Sequence, residues 1–138
     1  MLKIYLAAAW HRKAEIAAIA AELNQIPGIQ VQARWLTEQG AVGGLTAHGR
    51  VKFLRSRALV DVSDVRACDI LVRFSDDLNV ETVPAALATG SRMFEMGMAY
   101  DAGKPVIVVG GYQPVFDYLP NVTHVRDVAE LKSYLEEN

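Results

Sequence analysis

GSRMFEMGMAYDAGKPVIVVGG, Gly90–Gly111, carries a helix, its stop and a buried strand in 22 consecutive residues. Met93 to Tyr100 reads as a largely apolar helix. Gly103 is the natural residue for a helix C′ position, and Pro105 prevents continuation and opens a strand, Val106 to Val109. A short polar turn between a helix and a run of four β-branched residues is the signature of a parallel α/β unit. One residue disturbs it, because Glu95 places an ionisable group among methionines.

The same alternation extends in both directions. Ile4–Ala8 reads as a buried strand, Arg12–Asn24 as an Ala-rich helix ended by Pro27-Gly28, and Ile29–Trp35 as a second strand. Thr37–Arg50 is Gly-rich and aperiodic, the mark of a functional or disordered loop. A helix over about 52–67, a strand at Asp69–Phe74 and a polar connection at Ser75–Ala88 follow. A short strand at Thr123–Val125 and a helix at Asp127–Glu136 close the chain. The expectation is a single α/β domain spanning residues 1–138: a Rossmann- or flavodoxin-like parallel sheet of about five strands, with helices on both faces. Ligands of such sheets bind at the carboxyl ends of the strands.

Composition excludes several classes. With 14 Lys and Arg against 16 Asp and Glu, scattered along the chain, there is no footprint for a nucleic acid polymer or an anionic membrane. No apolar run approaches the ~20 residues of a bilayer span, and MLKIYLAAAWHRK reads as a first strand rather than a leader. A single cysteine, Cys68, read as a small core residue, precludes an internal disulfide and suits the cytoplasm. His11, His48 and His124 have no metal-ligand spacing, so no metal is expected. Neither a G-x-G-x-x-G or Walker A sequence nor a G-x-S-x-G elbow is present, which argues against dinucleotide, P-loop and acyl-hydrolase chemistry.

Two carboxylates sit on helix faces that should be apolar. At 100° per residue, Asp61 falls within a stripe of Leu54, Ala58, Val62 and Val65, and Glu95 falls beside Met98, Ala99 and Ala102. A buried carboxylate must be paired, hydrogen-bonded, protonated or open to a cleft. Asp61 alone is equally compatible with a structural pairing to Arg57 or Arg73. For Glu95, early in its helix, the N-terminal dipole is expected to favour the charged form, which suits a nucleophile. Trp10 and Trp35 follow the first two strands, where either could stack on a nucleobase.

KIYLAAAW, DVSDVRACDILVRF and the pattern Glu-x-Gly-x-Ala-x-x-x-Gly-Lys-Pro-Val from Glu95 together resemble the nucleoside 2-deoxyribosyltransferase superfamily. That superfamily includes 2'-deoxynucleoside 5'-monophosphate N-hydrolases, and VFDYLPNV, ending at Val122, is similar to its short phage and actinobacterial branch. The resemblance covers nearly the whole chain. It implies cleavage of an N-glycosidic bond with Glu95 as nucleophile, Tyr5 orienting it and Asp61 handling the proton of the departing base. It implies no cofactor, a small nucleoside or nucleotide as partner, and transfer to a second base or to water. At the position where transferases carry an acidic residue and monophosphate hydrolases a serine, this chain has Thr89, followed by Gly90 and Ser91. A helix N-terminus there would suit an anion. Arg12 and Arg92 either add charge to it or lie on the surface. The apolar circumference of the Glu95 helix suggests burial in a homodimer or higher homo-oligomer, with Tyr112–Asn121 as the crossing segment. The alternative from another class is a non-catalytic nucleotide-binding module on the same fold.

Overall fold

In the computed structural model, residues 1–38, 43–76 and 90–137 are described. Five strands, β1 (Leu2–Ala7), β2 (Ile29–Val31), β3 (Ile70–Phe74), β4 (Val106–Val109) and β5 (Val122–Val125), form one sheet in the order β2-β1-β3-β4-β5. Every pairing is parallel. The helices are α1 (Lys13–Leu23), α2 (Ala47–Ala67), α3 (Gly90–Asp101) and α4 (Val128–Glu137). The expected α/β architecture is the observed one.

The apolar runs make the middle of the sheet: Ile4–Ala7, Leu71–Phe74 and Val106–Val109 are all buried. Alternation along a strand assigns the faces. Tyr5 reaches up to α3, and Ala7 and Arg73, paired in register, share its side. The opposite-facing Ile4 and Leu6 are sealed in the core. Helices α2 and α3 pack on each other and on β1, while α1 and α4 are tied by a Lys132–Glu22 ion pair.

Helix α3 ends as its sequence dictates. Gly103 has φ 76°, its N–H donates to the Tyr100 carbonyl, and the Lys104 N–H donates to Ala99, which is a Schellman closure. Lys104 then turns its ammonium onto the carbonyls of Val65 (3.1 Å), Arg66 (2.5 Å) and Cys68 (2.6 Å). One Gly-Lys-Pro turn therefore stops α3, starts β4 and caps the end of α2.

Three expectations are corrected. Strand β2 ends at Val31, and Trp35 lies in a 3₁₀ turn, Arg34–Leu36. The cause is Asp64, whose buried carboxylate accepts the Arg34 backbone N–H at 2.8 Å and its guanidinium at 2.9 Å, drawing the chain off the sheet edge. Helix α2 begins at Ala47, inside the expected loop, because the Thr46 hydroxyl accepts the Gly49 N–H at 3.0 Å. Finally, Leu54 and Ala58 are exposed; of the stripe assigned to the core only Val65 is buried and Val62 partly so.

Candidate active site

A cavity of about 840 Å³ opens at the carboxyl ends of β1 and β3, where the strand order reverses direction. Its floor is Tyr5 and Glu95, its walls include Trp10, Trp35, Asp61 and Ser91, and Asp76 lies at its edge. Residues 5, 61 and 95, from three separate elements, thus line one cavity.

Tyr5 is fully buried, and its hydroxyl donates to Oε2 of Glu95. Burial, together with the neighbouring Glu95 charge, drives the tyrosine far above its ordinary value, so it stays a proton donor. Glu95 is the sixth residue of α3, beyond the first turn where the helix dipole acts. Desolvation therefore dominates, and the carboxyl rises to about 7 despite the tyrosine hydrogen bond, with Asp61 adding repulsion. The expectation that the dipole would hold it ionised is corrected. A group poised near neutrality ionises readily but retains the basicity of a good nucleophile.

Asp61 is raised to about 6, first by burial and then by the charges of Glu38 and Asp64; Arg57 and Arg34 pull the other way. Its buried Oδ1 has no hydrogen-bond partner among the described residues. Of the cations weighed as its structural partner, Arg73 is committed elsewhere, as a buried pair with Asp117, and Arg57 pairs with Glu38. A carboxyl with an unused oxygen and a proton to spare near neutral pH has the properties of a general acid.

The aromatic pair spans the mouth. Trp35 is buried with its indole N–H donating to the Leu6 carbonyl at 2.8 Å, whereas Trp10 is 55% exposed. Their centroids are 6.0 Å apart at 38°. Trp35 is thus a fixed wall and Trp10 a rim that can meet a planar ligand.

The basic residues are turned away. Arg12 is buried, with its guanidinium on Glu15 (3.0 and 2.9 Å) and on the Ser75 carbonyl (2.5 Å), so it braces the turns after β1 and β3. Arg92 is buried rather than superficial and pairs with Asp76. Gly90 and Ser91 open α3, with Ser91 on the cavity wall; Thr89 lies outside the described residues.

Asp76 stood in the sequence only as part of the carboxyl end of a strand and was not among the candidate site residues. Besides Arg92, its Oδ2 accepts the Gln113 side-chain amide at 3.0 Å, and its N–H donates to the Gln113 Oε1 at 3.2 Å. Its position immediately beyond the buried end of β3, where ligands of parallel sheets bind, was the available signal. No helix among the described residues is long and apolar enough to cross a membrane.

Neither a protein-family model nor a curated protein sequence matches the chain. Solved structures do. A 2-deoxyribosyltransferase from Bacillus psychrosaccharolyticus superimposes with a TM-score of 0.62 at 16% identity, over 96% of this chain and 91% of that one. The fold is shared with a deoxyribosyltransferase. A CMP N-glycosidase from Clostridium botulinum gives a TM-score of 0.59 at 16% identity, over 99% of each chain. A conserved protein from Enterococcus faecalis V583 gives 0.71 at 19% identity, over 99% of this chain and 98% of that one. At such identities the likeness establishes the architecture; the chemistry has to be argued from the residues in the cavity.

Proposed function

We propose that this protein is an enzyme that cleaves the N-glycosidic bond of a 2'-deoxynucleoside or its 5'-monophosphate, passing the glycosyl group to a second base or to water. The observation that carries the reading is one cavity holding a tyrosine-tethered carboxyl, Glu95, and an Asp61 carboxyl oxygen with no partner among the described residues. The likeness of the fold to a 2-deoxyribosyltransferase and to a CMP N-glycosidase supports N-glycosidic chemistry in general.

In the first step the free oxygen of Glu95 attacks C1', while Tyr5 holds Oε2. The C1'–N bond breaks and the Asp61 proton passes to the departing base, giving a glycosyl ester and an Asp61 carboxylate. In the second step Asp61 recovers a proton from the incoming base or water, which displaces Glu95 from the same face the base left. Two inversions give net retention. In this reading Trp35 and Trp10 border the base, and Ser91 at the α3 N-terminus, on the same cavity wall, takes the other end of the ligand. No step calls for a metal or an organic cofactor.

The active microstate is Glu95 ionised with Asp61 protonated. Since Glu95 sits near 7 and Asp61 near 6, that form is a minority of the singly protonated pair. Falling pH protonates Glu95 and rising pH strips Asp61. The kcat/KM profile is therefore expected to be bell-shaped with a maximum at about pH 6.5. Asp61→Asn should lower kcat/KM roughly 10²–10³-fold and erase the alkaline limb, having no proton to lose. A variant that keeps both limbs would remove Asp61 from the mechanism.

The assay is base release from the deoxynucleosides and their monophosphates, with and without a second free base, followed chromatographically. Exchange indicates a transferase, and release to water a hydrolase. Tight binding with no release from any of them would favour the non-catalytic module. The reading includes a homo-oligomer: Phe94 on α3 is 64% exposed, and Val115, Phe116 and Tyr118 project as openly from the turn after β4. Phe94→Glu is expected to lower the sedimentation-derived mass to that of one chain.

A further inference from the structure

The segment after β2 is fastened across the Asp61 side of the cavity from two directions. From α1, the Lys13 ammonium donates to the Glu38 backbone carbonyl and lies 4.7 Å from the Trp10 ring centroid. From α2, Arg57 pairs with the Glu38 carboxylate and rests over the Phe53 ring at 4.6 Å. The Glu38 and Arg57 side chains are only 14% and 22% exposed, so the pair is poorly screened by salt.

Arg57 precedes Asp61 by four residues on α2, the spacing at which an arginine and an aspartate meet on a helix surface. Yet the ion pair goes to Glu38, and Asp61 Oδ1 is left without a partner among the described residues. Other charged or titratable groups facing Asp61 are Asp64 on the same helix, Arg34 in the turn after β2, and Tyr5 and Glu95 below. Arg34 is itself held by Asp64. Glu38 is therefore the acidic group that Arg57 pairs with in place of its helix neighbour Asp61.

We propose that Glu38 is a positioning residue for the proton of Asp61: by drawing Arg57 into an ion pair, it keeps the guanidinium from neutralising Asp61 and so preserves a carboxylic acid at the leaving base. This deepens the reading of Asp61 as proton donor and rests on it. Consistent with that geometry, the Glu38 charge is the largest cause after burial that raises Asp61, while Arg57 opposes it.

The test is a ¹³C NMR titration of the Asp61 side-chain carboxyl, identified by its absence in Asp61→Asn, alongside kcat/KM against pH. In Glu38→Gln the Asp61 midpoint should fall by about one pH unit. The limiting alkaline rate should drop about tenfold with it, while the acid limb stays in place. Arg57→Met should move the midpoint up, and Glu38→Gln/Arg57→Met should return it to near the wild-type value. A structural role alone would lower activity equally at all pH and leave the midpoint where it was. An Asp61 midpoint unmoved in Glu38→Gln overturns the proposal, whatever the activity. A wild type that releases no base sinks the proton-donor reading instead, independently of how the titration responds.

Discussion

Glu95→Ala is expected to abolish base release, by about 10⁴-fold or more, while Glu95→Gln should melt at a higher temperature than the wild type at pH 8. The two results have one cause. Glu95 has been moved from its ordinary 4.5 to about 7, chiefly by burial. Its folded-state value is raised, so the native protein binds this proton more tightly than the unfolded chain. The associated stability is fully present below about pH 4.5, declines as the pH rises toward 7, and is gone by pH 8. That displacement corresponds to at most ~3 kcal/mol. Glutamine occupies the same space uncharged and still accepts the Tyr5 hydroxyl. The variant should therefore gain up to this amount at pH 8, roughly 5–10 °C in Tm, and almost nothing at pH 4. On the proposed reading, the charge that costs stability here is the one the reaction uses. Thermal melts of both proteins at pH 4.5 and pH 8 check the sign. An unchanged or lower Tm for Glu95→Gln at pH 8, together with surviving base release in Glu95→Ala, would make Glu95 a structural residue.

What the sequence revealed follows from how local each signal was. β1, β3, β4 and the end of α3 were legible because buried parallel strands are continuous apolar runs, and because Gly103 and Pro105 stop and start elements without tertiary help. Tyr5 and Glu95 lie on such elements; that the two meet was implied by the family resemblance, not by periodicity, and in the structure the Tyr5 hydroxyl donates to Glu95. The edge was less legible. β2 stops at Val31 because Asp64, more than thirty residues later, takes the Arg34 N–H and guanidinium. In the N-terminal half of α2 the helical wheel identified an apolar stripe that the described residues do not cover: Leu54 and Ala58 are exposed. Arg73 was visible as a charge inside a buried strand, but its partner is 44 residues away, a choice no periodicity encodes. Thr89, the residue on which the phosphate question turned, lies outside the described residues.

That Arg73 pairing leads to the largest stability change expected of a single substitution. Arg73 and Asp117 are both fully buried, and the guanidinium grips the carboxylate through two nitrogens at 2.5 and 2.6 Å. Asp117 also accepts the Gln113 N–H at 2.8 Å, and its carbonyl takes the His124 Nε2–H at 2.6 Å. His124 stacks in turn on Tyr112, with centroids 3.7 Å apart. The whole turn between β4 and β5 is thereby bolted to the middle of β3. Asp117→Ala would strand an ionised guanidinium in the core, which costs about 3–5 kcal/mol, much of the stability of a domain this size. Arg73→Met/Asp117→Asn removes the charge as well, and the new amide oxygen can still accept from Gln113, so it should recover more than half of that loss. Chemical denaturation of Arg73→Met, Asp117→Asn and the double variant gives the coupling directly. The Arg73 guanidinium also lies 3.3 Å from the sulfurs of Met93 and Met96, on either side of Glu95 in α3. A double variant that regains stability yet releases base more slowly would therefore place Arg73 under the catalytic helix, as the support that fixes where Glu95 points.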